Sequence, residues 1–166
     1  MLDVVLGRVL ARFLDPFASR IAVHAKLLDI VAFCIGLAAV VLIARHFVWL
    51  GLAVFLAARL LAFAAVRAAD DDAAEVFAVV AFASLPFAFA LDAPVRALPA
   101  VFLIFGMVAN AAARLKFGPS LIGAVELALV FVLAALLPDW FGLIAYVTGV
   151  LCFVVAGVRI AASRRM

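Results

Sequence analysis

The side chains best suited to chemistry are ionisable or amide groups that fall inside otherwise apolar stretches. Arg59 and Glu126 lie within long runs of Ala, Leu, Val and Phe, and Asp29 and Asn110 lie in two further runs. An ionised side chain within a membrane costs a few kcal/mol, so it normally faces the interior of a helix bundle and has a partner or a function. These residues are therefore the first candidates for a site.

Arg59 and Glu126 have two interpretations, and the sequence leaves both open. They can form a structural ion pair, or reach separately towards nearby water, which would neutralise or hydrate two costly charges. Alternatively, they line a polar cavity that is open to the cytoplasm and binds an anionic headgroup or a nucleotide. The spacing predicts a similar depth for the two residues, because each lies within about two helical turns of the cytoplasmic end of its apolar run.

Other reactive residue types lack the spacing of a catalytic or metal site. The carboxylates of 70–72 and Glu75 are crowded, but neighbouring residues on a loop converge on one cation only if the backbone curls. Cys34 and Cys152 have neither a C-x-x-C partner nor a histidine nearby. We therefore expect a solvated acidic loop and buried cysteines, with no metal site, and no catalytic residue is identified.

The elements that must position these residues follow from composition. Of the 166 residues, 72% are hydrophobic and 14% are charged, and the charges divide the chain into membrane-length blocks. A backbone in lipid must satisfy its own hydrogen bonds, and the blocks lack the alternation of a membrane barrel. The predicted fold class is all-α: a single integral membrane domain over 1–166, with about six transmembrane helices preceded by an N-terminal amphipathic interfacial helix.

The boundaries of these elements follow from the positions of the charges. Residues 2–22 carry apolar and polar side chains on opposite helical faces, which predicts the amphipathic helix. The connections between the apolar blocks are short, so neighbouring spans should run antiparallel. The predicted spans are 27–44, 47–66, 76–91, 98–113, 121–137 and 141–158.

Basic residues indicate the orientation. If the N-terminus is cytoplasmic, the far side carries only Arg45 and Arg96, and the positive-inside rule then predicts that both termini are cytoplasmic. The preference for Arg over Lys, with abundant Ala, favours the cytoplasmic (inner) membrane of a bacterium. The arginines are dispersed at block ends, which argues against nucleic acid as a partner. The remaining basic residues fall on the cytoplasmic side: Arg8, Arg12, Arg20, Lys26, Arg67, Arg114, Lys116, Arg159, Arg164 and Arg165.

The layout of an amphipathic helix and six short spans, with a polar loop after the second span, resembles the CDP-alcohol phosphatidyltransferase family. Segment 32–37 is similar to the Gly-Phe-x-x-Gly-Leu of that family's first span. Further likeness to one bacterial branch of the family lies in Arg59-Leu60-Leu61, Pro86 to Leu91, Glu126, Pro138-x-Trp140-Phe141, Ala145-Tyr146-Val147 and Arg159. The likeness covers nearly the whole chain.

The family's diagnostic motif is D-x-x-D-G-x-x-A-R, then eight residues, then G-x-x-x-D-x-x-x-D. Its four aspartates hold divalent metal, such as Mg²⁺, which binds the CDP pyrophosphate and activates the acceptor alcohol. Aligning Arg67 with the motif arginine aligns the four aspartates with Arg59, Ala62, Val80 and Ser84. None of these side chains replaces a carboxylate around a hard cation.

The resemblance therefore implies a degenerate member, a pseudoenzyme related to phospholipid biosynthesis. The family transfers a phosphoalcohol group from a CDP-linked donor to an alcohol, with release of CMP. Membrane lipid, a CDP-linked donor and a second copy of the chain are the implied partners, without a cofactor. The alternative is a non-catalytic protein that binds lipid or supports another membrane protein. The predicted substrate-binding residues are Arg59, Arg67, Asn110 and Glu126.

Overall fold

The computed structural model of the protein describes residues 25–69, 72–117 and 122–163. The predicted amphipathic helix over 2–22 lies outside the described residues, and so do Asp70 and Asp71. The side chains of Arg67, Asp72 and Glu75 are likewise outside the described part, although the backbone of these three residues is helical.

The described residues are helical apart from short turns, and no strand occurs among them, which confirms the all-α prediction. The bounds lie within a few residues of the predicted spans. Two single-turn 3₁₀ helices, Pro94–Arg96 and Pro138–Trp140, precede the fourth and sixth α-helices. The α-helices are α1 (Ala25–Ala44), α2 (Val48–Ala69), α3 (Asp72–Asp92), α4 (Ala97–Phe117), α5 (Ala124–Leu136) and α6 (Phe141–Ser163).

Three stretches of the described chain are long and apolar enough to cross a membrane: 27–44 in α1, 94–116 around α4 and 138–163 around α6. Their surfaces agree with that environment, because large apolar side chains such as Phe105 and Val158 are more than half exposed. Contiguous apolar surface of this kind is rare on proteins that face water. The structure therefore supports a membrane protein, and the crossing by all six helices stays a prediction.

The chain divides into two compact units, and the boundary falls inside α3, between Ser84 and Leu85. In the first unit α1 and α2 form a tight antiparallel pair. A Cβ on Gly51 would stand only 2.8 Å from the carbonyl oxygen of Ala39, so glycine is required for this approach. The aromatic contacts Phe33–Phe77 and Phe55–Phe82 add the first part of α3. The prediction of one domain stays a prediction.

The turn between α1 and α2 is closed by backbone hydrogen bonds that reverse the chain direction and bring the two helices side by side. The amide of Phe47 donates to the carbonyl of Leu42, and the amide of His46 donates to that of Ile43. This is the hydrogen-bond pattern of a Schellman motif, and His46 adopts the left-handed conformation that the motif requires, with φ 68°. The motif satisfies the last carbonyls of α1 and reverses the chain within three residues.

The second unit contains α4, α5, α6 and the last part of α3. Phe89 of α3 stacks on Phe131 of α5 and on Phe141 of α6, with ring centroids 6.2 and 5.2 Å apart. Arg96 donates to Asp92 at 2.8 Å, and its guanidinium lies 5.8 Å from the centre of the Phe141 ring. These contacts join the turn before α4 to the start of α6.

The closest helix crossing in the second unit is between α4 and α6. A Cβ on Gly106 would stand 2.7 Å from the carbonyl oxygen of Gly149, and a Cβ on Gly149 would stand 2.7 Å from the Phe102 ring. Small residues allow helices in lipid to approach closely, where van der Waals packing replaces the hydrophobic effect as the main attraction between them. The crossing therefore depends on the absence of both side chains.

We expect Gly106→Ala to lower the free energy of unfolding by about 1–3 kcal/mol, because the facing atom is rigid backbone and cannot move aside. Gly157 of α6 is the matched control, since a Cβ there meets nothing within 4 Å. Gly157→Ala should leave stability unchanged or slightly raise it. The measurement is the unfolding midpoint of the purified protein in detergent, and equal midpoints for the two variants would contradict the crossing.

Candidate functional site

Arg59 is the polar centre of the first unit. It lies midway along α2, one helical turn after Phe55, and its guanidinium carbon is 5.7 Å from the centre of the Phe55 ring. A cation at this distance from an aromatic ring is attracted by the negative face of the ring. Phe55 is fully buried, so it holds the guanidinium from the side of the core.

The neighbouring helix α1 contributes a glycine and a carboxylate to the surroundings of Arg59. The Nη2 atom lies 3.8 Å from the position that a Cβ on Gly36 would occupy. Asp29, in the second turn of α1, is 7% exposed and interacts electrostatically with Arg59. The guanidinium therefore has an aromatic ring, a glycine without a side chain and a negative charge as neighbours.

The hydrogen-bond donors of Arg59 are incompletely used. Within the part of the chain that the structure describes, Nε and Nη2 are both buried and have no hydrogen-bond partner. Burying an N–H donor without an acceptor costs about 1–3 kcal/mol, and more where the group is charged. An acceptor supplied from outside the chain would recover that cost.

Asn110 and Glu126 have a different surrounding, in the second unit. The Nδ2 atom of Asn110 donates to the carbonyl of Ile122 at 3.0 Å, and the amide of Gly123 donates to Oε2 of Glu126 at 3.0 Å. Glu126 occupies the third position of α5, from which a glutamate commonly reaches back to the residue that caps the helix. Both side chains therefore hold the turn that begins α5.

The structure thus brings Asn110 and Glu126 to one turn, and it surrounds Arg59 with Asp29, Phe55 and Gly36. Arg59 belongs to the first unit, whereas Asn110 and Glu126 belong to the second. The predictions that Arg59 pairs with Glu126, or that the three line one cavity, stay predictions. Arg67, the fourth predicted site residue, has its side chain outside the described residues.

The sequence analysis missed two contributors to the surroundings of Arg59. Phe55 precedes Arg59 by four residues, a spacing that brings side chains together on one helical face and could have indicated the contact. In the sequence, Gly36 stands out only as part of the segment 32–37. Its position beside Nη2 depends on how α1 packs against α2, for which the sequence carries no local signal.

Metal-ligating side chains do not cluster in the described part of the chain: no three of its His, Cys, Asp or Glu residues come close enough to hold an ion. Comparisons with protein-family models, curated proteins and solved structures find no match to this chain. The fold defines the class as a helical membrane protein, because three described stretches of helix are long and apolar enough to cross a membrane.

We expect Glu126→Ala to loosen the first turn of α5, because the Gly123 amide loses its acceptor. Loss of a cap of this kind costs about 1 kcal/mol. Hydrogen exchange of the protein in detergent should show faster exchange over 123–127. Glu126→Gln is the matched control, since its amide oxygen still accepts. If Glu126→Ala and the unaltered protein exchange equally over this turn, the capping role is wrong.

Proposed function

We propose that this chain is a multi-pass protein of a bacterial cytoplasmic membrane, with the helix arrangement of the CDP-alcohol phosphatidyltransferases and without their transfer activity. Among the described residues, three helices of membrane-spanning length and six α-helices near the predicted spans support a multi-pass membrane protein. The likeness of sequence segments to that family, along nearly the whole chain, supports the proposed helix arrangement. In this proposal the protein keeps a lipid-binding role in place of the reaction.

The observation that carries the proposal is the set of side chains at the four positions aligned with the metal-binding aspartates. Ser84 donates its hydroxyl to the carbonyl of Ala81 at 2.6 Å, and Ala62 is a buried methyl group. Val80 is apolar and about half exposed, and Arg59 is cationic. A pair of divalent cations needs several carboxylate oxygens, and these four side chains supply none.

A second candidate function is that of an accessory protein, which binds another membrane protein or a second copy of this chain through its helix faces. The exposed apolar side chains of α6 favour this candidate, because they offer a surface for packing against another helix as well as against lipid. They include Leu143, Val147, Val150, Leu151, Val154 and Val158.

We expect the purified protein in nanodiscs to release no CMP from CDP-diacylglycerol above background, with Mg²⁺ or Mn²⁺ and a panel of acceptor alcohols. A catalytically intact family member is the positive control. Metal-dependent release of CMP that disappears when Asp70, Asp71, Asp72 and Glu75 are replaced would contradict the proposal and assign a rebuilt metal site to that loop.

A gain-of-function variant tests the alignment itself. The quadruple variant Arg59→Asp, Ala62→Asp, Val80→Asp and Ser84→Asp should bind Mn²⁺ in detergent, because the alignment then gives these positions the four carboxylates that hold metal in the resembled family. The unaltered protein is the matched control, and electron paramagnetic resonance measures the bound ion. A folded quadruple variant that binds no Mn²⁺ would show that the alignment with the family motif is wrong.

The proposed orientation predicts which turns face the periplasm. In a background with Cys34 and Cys152 replaced by alanine, Val95→Cys should react with a membrane-impermeant maleimide added to whole cells. Val95 is 87% exposed in the turn between α3 and α4. Lys116→Cys, near the end of α4, should react only after the cells are opened. The reverse pattern would mean that the termini are periplasmic.

A further inference from the structure

We propose that Arg59 binds one phosphate-type oxyanion, directly and without metal, through the edge of its guanidinium that carries Nε and Nη2. The inference deepens the proposed function and rests on it, since it names the chemical group by which lipid or another phosphate compound would be held. The same chemistry is offered by a phospholipid headgroup and by free phosphate, so the experiment below separates the two sources.

The identity of the two unpartnered atoms carries the inference. In a guanidinium, the Nε–H bond and one N–H bond of Nη2 point the same way and lie parallel, about one oxygen–oxygen separation of a phosphate or carboxylate apart. Both of these nitrogens are buried without a hydrogen-bond partner among the described residues. A scattered pair of unused donors would fit water, whereas a complete side-on edge fits two oxygens of one oxyanion.

The neighbours of Arg59 among the described residues restrain its guanidinium and leave the edge with Nε and Nη2 without a hydrogen bond. Phe55 lies 5.7 Å from the guanidinium carbon and restrains the plane of the group. Gly36 of α1, where an added Cβ would stand 3.8 Å from Nη2, has no side chain that could cover it. Side-chain ordering is a large part of the free-energy cost of binding, and a guanidinium that is already restrained has lost that freedom before the ligand arrives.

The neighbouring charge limits the ligand to one of low charge. Asp29 interacts electrostatically with Arg59, so the pair is nearly neutral and a strongly charged polyphosphate would be repelled by the carboxylate. The buried edge donates no hydrogen bond to Asp29. A phosphodiester or singly charged phosphate monoester matches both conditions, because it brings two acceptor oxygens with about one negative charge.

The experiment measures binding of three probes to the full chain in a neutral detergent, by native mass spectrometry and by the shift of the unfolding midpoint. Phosphatidic acid and diacylglycerol with the same acyl chains differ only in the phosphate group, and inorganic phosphate is the soluble probe. We expect phosphatidic acid or inorganic phosphate to bind, and diacylglycerol not to bind through this site.

Arg59→Lys is the decisive variant, because lysine keeps the positive charge and loses the two parallel donors. It should weaken the binding of the phosphate-bearing probe by roughly tenfold or more, the loss expected when a charge-assisted hydrogen bond is removed. Arg96→Lys is the matched control, since Arg96 already donates to Asp92. Asp29→Asn should raise the affinity, because it removes a repelling charge.

Each result of this experiment either supports or overturns the proposed oxyanion site. Arg59-dependent binding of phosphatidic acid alone supports the site with lipid as the source, and Arg59-dependent binding of inorganic phosphate supports it with a soluble source. Absence of binding, equal affinity in folded Arg59→Lys, or a loss of affinity in Asp29→Asn as large as that in Arg59→Lys overturns the site. CMP release measured on the same preparations would overturn the proposed function and leave the oxyanion site standing.

Discussion

The structure depends on the requirement that a backbone surrounded by apolar groups must satisfy its hydrogen bonds within itself. In a chain that is 72% hydrophobic, helices meet this requirement residue by residue. The helix ends are the exceptions, and the described turns show how they are handled. The amides of His46 and Phe47 satisfy carbonyls at the end of α1, and Glu126 accepts from the amide that precedes α5. Backbone amides and one polar side chain in these turns therefore satisfy groups that the helix ends leave open.

A helix that is apolar on all sides gains little hydrophobic free energy when it exchanges lipid for a neighbouring helix. The pairing of such helices therefore depends on how well their surfaces fit together. Glycine provides this fit in both units: Gly51 meets the backbone of α1, and Gly106 meets Gly149. The aromatic rings then fill the wider spaces, as Phe89 does between Phe131 and Phe141. Close contact at a few small residues thus helps to determine which helix faces become internal.

Arg59 and Glu126 are both charged side chains within apolar stretches, and they differ in how their hydrogen-bonding groups are satisfied. Glu126 lies in the first turn of its helix, where an unused backbone amide is available, and its cost is met locally. Arg59 lies in the middle of α2, where the backbone amides and carbonyls are already used by the helix, and its Nε and Nη2 atoms have no hydrogen-bond partner among the described residues.

The sequence by itself determined the helical class, the approximate bounds of six helices and the residues that are costly in lipid. Periodicity and charge spacing are local properties, and helices satisfy their hydrogen bonds locally, so no knowledge of packing is needed for these features. Only the tertiary structure decided what surrounds each costly residue. Asn110 and Glu126, which the sequence predicts as site residues, hold the turn that begins α5, whereas Arg59 has Gly36 and Asp29 of another helix as neighbours. Such neighbours are determined by the close crossing of α1 and α2, which rests on the shapes of residues distant in sequence.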